Sequence, residues 1–317
     1  MRDIESALSY ADAAHGALSA SMTKREAAAD TVLEPTLRRY RAYLGAHPEE
    51  TLTNLTRHLL DARDETSGAI RARMTRKWTE ASGQINHSAV EKSVTNSLRR
   101  SAGTNFQALV SLALSIAFRQ ARSTWYVAHP VPKAFCESLA IRFDSGLAMN
   151  DAEPENAVES IRVVPDLDVL VRNAAWSEVS ARPEPIMVLS VKTSIADRGG
   201  MAARWKNYFD LVTRPCELRH KPECAWQRLG ISLEARHLGY DITHGIVVAN
   251  IYKIESDEAF TNFGELHSGQ ARANTFMFDP RITTRTDDPA AVPSGWQPLS
   301  VVLAWSRSTS VKFDLPP

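Results

Sequence analysis

Two aspartates at the start of an apolar run are the residues best placed to do chemistry in this sequence. Pro165 and Asp166 open the run VVPDLDVLVRN, and Asp168 follows Asp166 with one residue between them. In a β-strand, alternate side chains project from the same face, so both carboxylates would point the same way. The spacing therefore predicts that Asp166 and Asp168 meet a single metal ion.

A lysine closes the next apolar run, PIMVLSVKT. Ser190 and Lys192 share one face of this predicted strand because a single residue separates them. An ammonium at the end of a buried strand is costly to desolvate unless it meets an anion. The carboxylates of the preceding strand, or a phosphate, would supply that anion. We therefore expect Asp166 and Lys192 to form the centre of one site.

These residue types suit the hydrolysis of a phosphodiester. That reaction needs a hard cation to polarise a phosphoryl oxygen, carboxylates to hold the cation and a positive group to steady the developing charge. Mg²⁺ is the expected ion because it binds oxygen and accepts one or two carboxylates together with phosphate oxygens. The predicted metal ligands are Asp166 and Asp168, and the predicted catalytic residues are Asp166, Lys192 and Ser190.

A basic helix is predicted after the lysine strand. The chain turns at Gly199 and Gly200 and continues with helical spacing over about 201–213. Basic side chains at the start of this helix are the predicted contacts to DNA phosphates or base edges. They are Arg198, Arg204 and Lys206.

The pair of motifs Pro165-Asp166 and Ser190-Val191-Lys192 resembles the PD-(D/E)XK nuclease superfamily. The serine in place of an acid is similar to the branch of type II restriction endonucleases that cut sites with a CC-GG type core. The resemblance implies Mg²⁺-dependent cleavage of double-stranded DNA at a short palindrome by a homodimer or a higher homo-oligomer. It also implies that a residue on a helix preceding the strands supplies the acid that the second strand lacks.

The helix GTNFQALVSLALS departs from that pattern at Gln107, where related enzymes often carry glutamate. The resemblance places Gln107 among the catalytic residues, but a neutral amide cannot bind a metal as an ionised carboxylate does. Three outcomes stay open: Asp168 replaces the missing acid, another acid such as Glu91 replaces it, or the activity is impaired.

An α-helical half followed by a mixed sheet is predicted to position these residues. Residues 1–122 carry apolar side chains at three- and four-residue spacing, which predicts helices. From about Trp125, short runs rich in Val, Ile and Phe lie between Pro, Gly and Asp clusters, which predicts strands through residues 123–317. The predicted strands are TWYVAHP, LAIRFDS, DLDVLVRN, PIMVLSVKT, HGIVVANIYK, ANTFMFD, SVVLAWS and SVKFDLP. The expected class is α/β of the α+β kind, a restriction-endonuclease-like central sheet flanked by helices, either as two regions or as one continuous domain.

Composition limits the class of protein and its location. The chain is 44% hydrophobic and 23% charged, as in a folded globular protein. With 37 basic and 37 acidic residues it is formally neutral, which argues against a polyanion binder driven by overall charge, although local basic clusters such as RARMTRK occur. No apolar run approaches the roughly 20 residues of a membrane helix, so we expect a cytoplasmic protein. Three cysteines indicate reduced thiols rather than a disulfide framework.

Structural interpretations of the same residues remain open. Asp166 can be a turn residue after proline, and Lys192 can extend from a strand end into solvent. A structural zinc site is a further alternative, although its spacing is not that of a standard finger; its ligands would be Cys216, His220 and Cys224 with His237 or His244. For the whole chain, the alternative functions are a DNA-binding protein on an inactive nuclease scaffold and a repair or junction nuclease.

Overall fold

The computed structural model describes residues 3–27, 33–82, 87–143, 161–165, 167–176, 182–193, 205, 208–209, 231–233, 239–249, 280–285 and 296–317. The helices in this part of the chain are α1 (Ile4–Ala27), α2 (Glu34–Ala46), α3 (Leu55–Asp61), α4 (Arg63–Ser82), α5 (His87–Gln120), α6 (Lys133–Ser138) and α7 (Val301–Phe313). The strands are β1 (Trp125–Ala128), β2 (Ile141–Phe143), β3 (Ile161–Val163), β4 (Val169–Asn173), β5 (Glu184–Lys192), β6 (Ile231–Leu233), β7 (Tyr240–Val248), β8 (Arg281–Thr283) and β9 (Gln297–Pro298). The predicted α+β class, with helices around a mixed sheet, is confirmed.

The central sheet has six strands in the order β1-β4-β5-β7-β8-β9. Strand β4 runs antiparallel to both β1 and β5, whereas β5, β7, β8 and β9 are mutually parallel. A second, three-stranded sheet has the order β3-β2-β6 and is antiparallel. The motif strands β4 and β5 therefore lie side by side inside the larger sheet.

Two apolar layers cover the two faces of β5. Met187, Leu189 and Val191 join the cluster that includes the buried half of α5. Ile186 and Val188 pack on the other face, in a cluster that includes Tyr208 and Phe209. Because successive strand residues face opposite sides, a strand buried on both sides needs an almost continuous apolar run. Lys192 stands at the end of this run as its one partly exposed residue.

Helix α5 is continuous over 34 residues, which corresponds to a length of about 50 Å. Its C-terminal half is buried in the main core, from Phe106 to Phe118. By length and composition alone α5 could cross a membrane, and among the described residues it is the one helix that passes this test. Within the protein, 72% of its apolar window is buried, as in a core helix.

The C-terminal segment is a helix, so the predicted strands SVVLAWS and SVKFDLP are wrong. The valines and threonines of this segment favour extended structure, and its serines have no strong preference for a helix. However, its buried positions recur at helical spacing; they are Val302, Ser306, Thr309 and Ser310. Trp125 of β1 contacts this helix in two ways. Its indole N–H donates to Ser310 Oγ at 2.9 Å, and its ring packs edge-on against Trp305 with ring centroids 5.0 Å apart. Tertiary packing thus overrides the local preference.

Several other predictions concern short or undescribed segments. The predicted strand ANTFMFD lies outside the described residues, as does most of the predicted helix 201–213, although Trp205, Tyr208 and Phe209 are helical. The strands β3, β6, β8 and β9 were not predicted, because runs of two or three residues carry almost no periodic signal.

A buried histidine joins α1 to α5. His15 Nδ1 lies 2.7 Å from Ser115 Oγ, and His15 is only 4% exposed. Burial lowers the pKa of His15 from 6.5 to about 4. Between these pH values the unfolded chain binds a proton that the folded protein excludes, so acid favours unfolding.

We expect the free energy of unfolding to fall as the pH drops from 6.5 to about 4, and the contribution of His15 to level off below that range. The slope from this one proton should approach about 1.4 kcal/mol per pH unit. Denaturant titrations of the wild type and of His15→Gln, which keeps a polar partner for Ser115 but does not titrate, measure the difference. Identical pH slopes for the two proteins would contradict the assignment.

Candidate functional site

The strand pair β4–β5 ends beside Asp168. The ladder between these strands begins at Val169, which pairs with Leu189. Past this pair, the backbone N–H of Val191 donates to the carboxylate of Asp168 at 2.8 Å. An Asp168 side-chain oxygen thus accepts the hydrogen bond that a backbone carbonyl of β4 would accept if the ladder continued. The carboxylate therefore lies between the start of β4 and the end of β5.

Lys192 meets this carboxylate. Its Nζ lies 2.5 Å from Asp168 Oδ2, and the two side chains are 13% and 8% exposed. The Asp168 carboxylate explains why the Lys192 ammonium is tolerated at the end of a buried strand. An opposite charge at this distance offsets part of the free-energy cost of desolvating the ammonium. The structure therefore brings Lys192 to Asp168, whereas Asp166 lies outside the described residues.

Gln107 completes the surroundings of Asp168 from a different element. Its Nε2 donates to Asp168 Oδ1 at 2.6 Å. Each carboxylate oxygen is thus engaged, one by the Gln107 amide and the other by Lys192 and the Val191 N–H. Helix α5, which precedes the strands in the chain, carries this glutamine.

Glu91 lies too far away to replace the missing acid. It stands sixteen residues before Gln107 on α5, which corresponds to about 24 Å along the helix axis. Its carboxylate pairs with Arg71 of α4 at the protein surface. Of the two acids that the sequence offered as replacements, only Asp168 is at the site.

Ser190 lies on the same strand but contacts β7. Its Oγ is 3.0 Å from His244 Nε2, and the two residues are 5% and 2% exposed. The imidazole also packs against Phe209, with ring centroids 5.2 Å apart. Ser190 thus links the end of β5 to the neighbouring strand, two residues before Lys192.

His129 is a residue at this site that sequence reasoning missed. The pairing of Ala128 with Leu170 places it across from the start of β4, where its imidazole lies close to the backbone of Asp168. Burial lowers the pKa of His129, the nearby backbone of Asp168 raises it in part, and the Arg25 guanidinium lowers it further. No spacing signals this contact, because residues far apart in sequence meet here only through strand pairing.

The remaining predicted site residues lie outside the described part of the chain. For DNA contact these are Arg198, Arg204 and Lys206; for the zinc alternative they are Cys216, His220, Cys224 and His237. Tyr208, on the helical segment after β5, is buried, and its hydroxyl donates to the backbone carbonyl of Leu139. It therefore belongs to the core.

The described site offers oxygen ligands but little net charge. Asp168 and the amide oxygen of Gln107 are hard donors of the kind that Mg²⁺ binds. The negative charge of Asp168 is balanced by Lys192, so a divalent cation would need a further acid or phosphate oxygens. A different grouping, His47 with Glu49 and Glu50, could hold a cation by geometry, but it lies at the surface, and the described part of the chain shows no second feature there that indicates a ligand.

Comparison with protein-family models gives no match. Comparison with curated proteins gives none that is significantly similar. The function has to be argued from the site itself.

Proposed function

We propose that the protein is a Mg²⁺-dependent endonuclease that cleaves double-stranded DNA at a short palindromic sequence, as type II restriction enzymes do. The observation that carries the proposal is the convergence of Gln107 and Lys192 on the carboxylate of Asp168. A helix before the strands, the start of one strand and the end of the next supply these residues, as the PD-(D/E)XK resemblance implies. The proposal makes Asp168 the central acid and keeps Asp166 as a second ligand.

Each residue of the site would have a separate role in hydrolysis. When bound, Mg²⁺ would polarise a phosphoryl oxygen and make a water molecule more acidic. Asp168 would hold the ion through its carboxylate, and Gln107 would turn its amide oxygen toward the same position. Lys192 would release the carboxylate and place its ammonium against the phosphate, where negative charge develops.

The reaction adds water across one P–O bond. A water oxygen forms a new bond to phosphorus as it loses a proton, and the bond to one sugar oxygen breaks as that oxygen gains a proton. One DNA end carries the phosphate and the other a hydroxyl. A homodimer would present two copies of the site with the two-fold symmetry of a palindrome. The proposed substrate, double-stranded DNA, is consistent with a cytoplasmic location.

Cleavage of plasmid and phage DNA by the purified protein, in Mg²⁺ and in chelator, tests the proposal. Discrete fragments that need Mg²⁺ and end at one short palindrome are the expected result. Cleavage directed by branched or damaged DNA instead of by sequence would identify a repair or junction nuclease. DNA left intact and unbound would refute the proposal.

One observation favours a second candidate, a DNA-binding protein without nuclease activity. The amide of Gln107 donates an N–H to Asp168, and Lys192 neutralises the same carboxylate. Both contacts stabilise the site without a metal. Sequence-specific DNA binding in gel-shift experiments, with no cleavage at any Mg²⁺ concentration, would establish this function.

His129→Ala is expected to slow single-turnover DNA cleavage by roughly 10- to 100-fold, the range found when a residue that orients a metal ligand is removed. The reason is that the imidazole lies against the backbone of Asp168, so its removal would leave the carboxylate less well oriented. His129→Asn should recover most of the cleavage rate, because it keeps a side-chain hydrogen-bond donor. Both variants lose the imidazole ring, so the donor is the feature that distinguishes them. Equal rates for the two variants would show that His129 acts only through packing.

A further inference from the structure

Helix α4 and the N-terminal half of α5 form a hairpin with its own small apolar cluster. Ile70, Val90 and Val94 are buried there, with Met74, Trp78 and Leu98 packed around them. This cluster is separate from those that cover the sheet. The main neighbours of α4 are the helices α5, α2 and α3. We call residues 71–82 and 87–100 of this hairpin the basic arm.

The basic arm concentrates positive charge in a neutral protein. It contains seven basic and two acidic side chains, a net charge of +5, so the rest of the chain carries −5. The basic residues are Arg71, Arg73, Arg76, Lys77, Lys92, Arg99 and Arg100. One of the two acids, Glu91, is paired within the arm to Arg71. A surface of this kind attracts a polyanion even where the whole protein does not.

Helix α5 connects the arm rigidly to the candidate site. Arg100 precedes Gln107 by seven residues, or about 10 Å along the helix axis. From Gln107 back to His87 the helix runs about 30 Å, close to one turn of B-form DNA. A duplex with a phosphate at Asp168 can therefore keep its backbone near the arm for about one turn.

We infer that the basic arm binds the phosphate backbone of the duplex whose scissile phosphate lies at Asp168. This inference rests on the proposed function. It adds the surface that would supply the part of the DNA affinity that does not depend on the base sequence. Charge favours DNA over a second copy of the chain as the occupant, because two arms that each carry +5 would repel across a symmetric interface.

The test replaces three exposed residues of the arm, in the variant Lys77→Glu/Lys92→Glu/Arg100→Glu. The matched control, Arg57→Glu/Arg307→Glu/Lys312→Glu, makes the same charge change at exposed positions outside the arm. Fluorescence anisotropy with a labelled duplex in chelator measures affinity across a series of salt concentrations. Circular dichroism checks the fold, and the neutralising variant Lys77→Gln/Lys92→Gln replaces the first if that one does not fold.

We expect the arm variant to bind DNA at least about 10-fold more weakly, with a salt dependence shallower by roughly one unit for each lost phosphate contact. The control should lose much less. Equal losses in both variants, or none in the arm variant, would overturn the inference while cleavage by the wild type still supports the proposed function. A change in oligomeric state with DNA affinity retained would assign the arm to self-association. A wild type that neither binds nor cuts DNA would refute both.

Discussion

Asp168→Asn is expected to lower Mg²⁺-dependent DNA cleavage by at least about 10³-fold. The carboxylate is the group on which Gln107, Val191 and Lys192 converge, and an amide in its place cannot hold a hard cation in the same way. Single-turnover cleavage of a defined duplex measures the effect. Wild-type rates in this variant would remove Asp168 from the site.

Loss of stability has to be separated from loss of chemistry in this variant. Asp168→Asn leaves the Lys192 ammonium, only 13% exposed, without its counter-charge, and breaking such a pair costs about 3–5 kcal/mol. The double variant Asp168→Asn/Lys192→Met removes both charges and should recover most of this stability. Because it still lacks the carboxylate, it should remain inactive. Recovery of cleavage together with stability would contradict a catalytic role.

Asp166→Asn is the matched comparison, since it makes the same change two residues earlier in the chain. We expect a smaller loss than for Asp168→Asn, because Lys192, Gln107 and the Val191 N–H converge on Asp168. If cleavage instead depends on Asp166 and survives the change at Asp168, the central acid is the one that the sequence motif indicated.

Gln107→Glu is expected to tighten Mg²⁺ binding by roughly tenfold or more. It adds a carboxylate next to Asp168, and the affinity of such sites rises with the number of charged oxygen ligands. Without metal the two carboxylates repel, so the Tm of the variant should lie below that of the wild type in chelator. Added Mg²⁺ should then raise its Tm more steeply, because a ligand that binds only the folded state stabilises it by mass action.

Gln107→Met is the control for this prediction. It keeps the length of the side chain but removes both the donor to Asp168 and the oxygen ligand. We expect a reduced Mg²⁺ dependence of both Tm and cleavage. If Gln107→Glu responds to Mg²⁺ no better than Gln107→Met, this position does not bind the metal, and the DNA-binding function without cleavage gains support.

The order of elements around the site could be predicted from the sequence, because local periodicity encodes it. The spacing of Ser190 and Lys192 predicted one face of a buried strand, and the apolar segment GTNFQALVSLALS predicted a helix that carries Gln107, although that helix begins at His87 and continues through Gly103. Both predictions depend only on neighbouring residues. The wrong strands in the C-terminal segment show the limit, since there the preference of single residues was overridden by Trp125, more than 170 residues away.

The partners of each side chain were decided by the tertiary structure. Alternation predicts that Asp166 and Asp168 share a face, but it is strand pairing and the end of the β4–β5 ladder that bring Asp168 to Lys192. His129 and His244 reach the site only through strand pairing with β4 and β5. By itself the sequence determined the types of residue available for chemistry and the elements that carry them. Only the fold decided their contacts, because the distances between them depend on long-range pairing that no local pattern records.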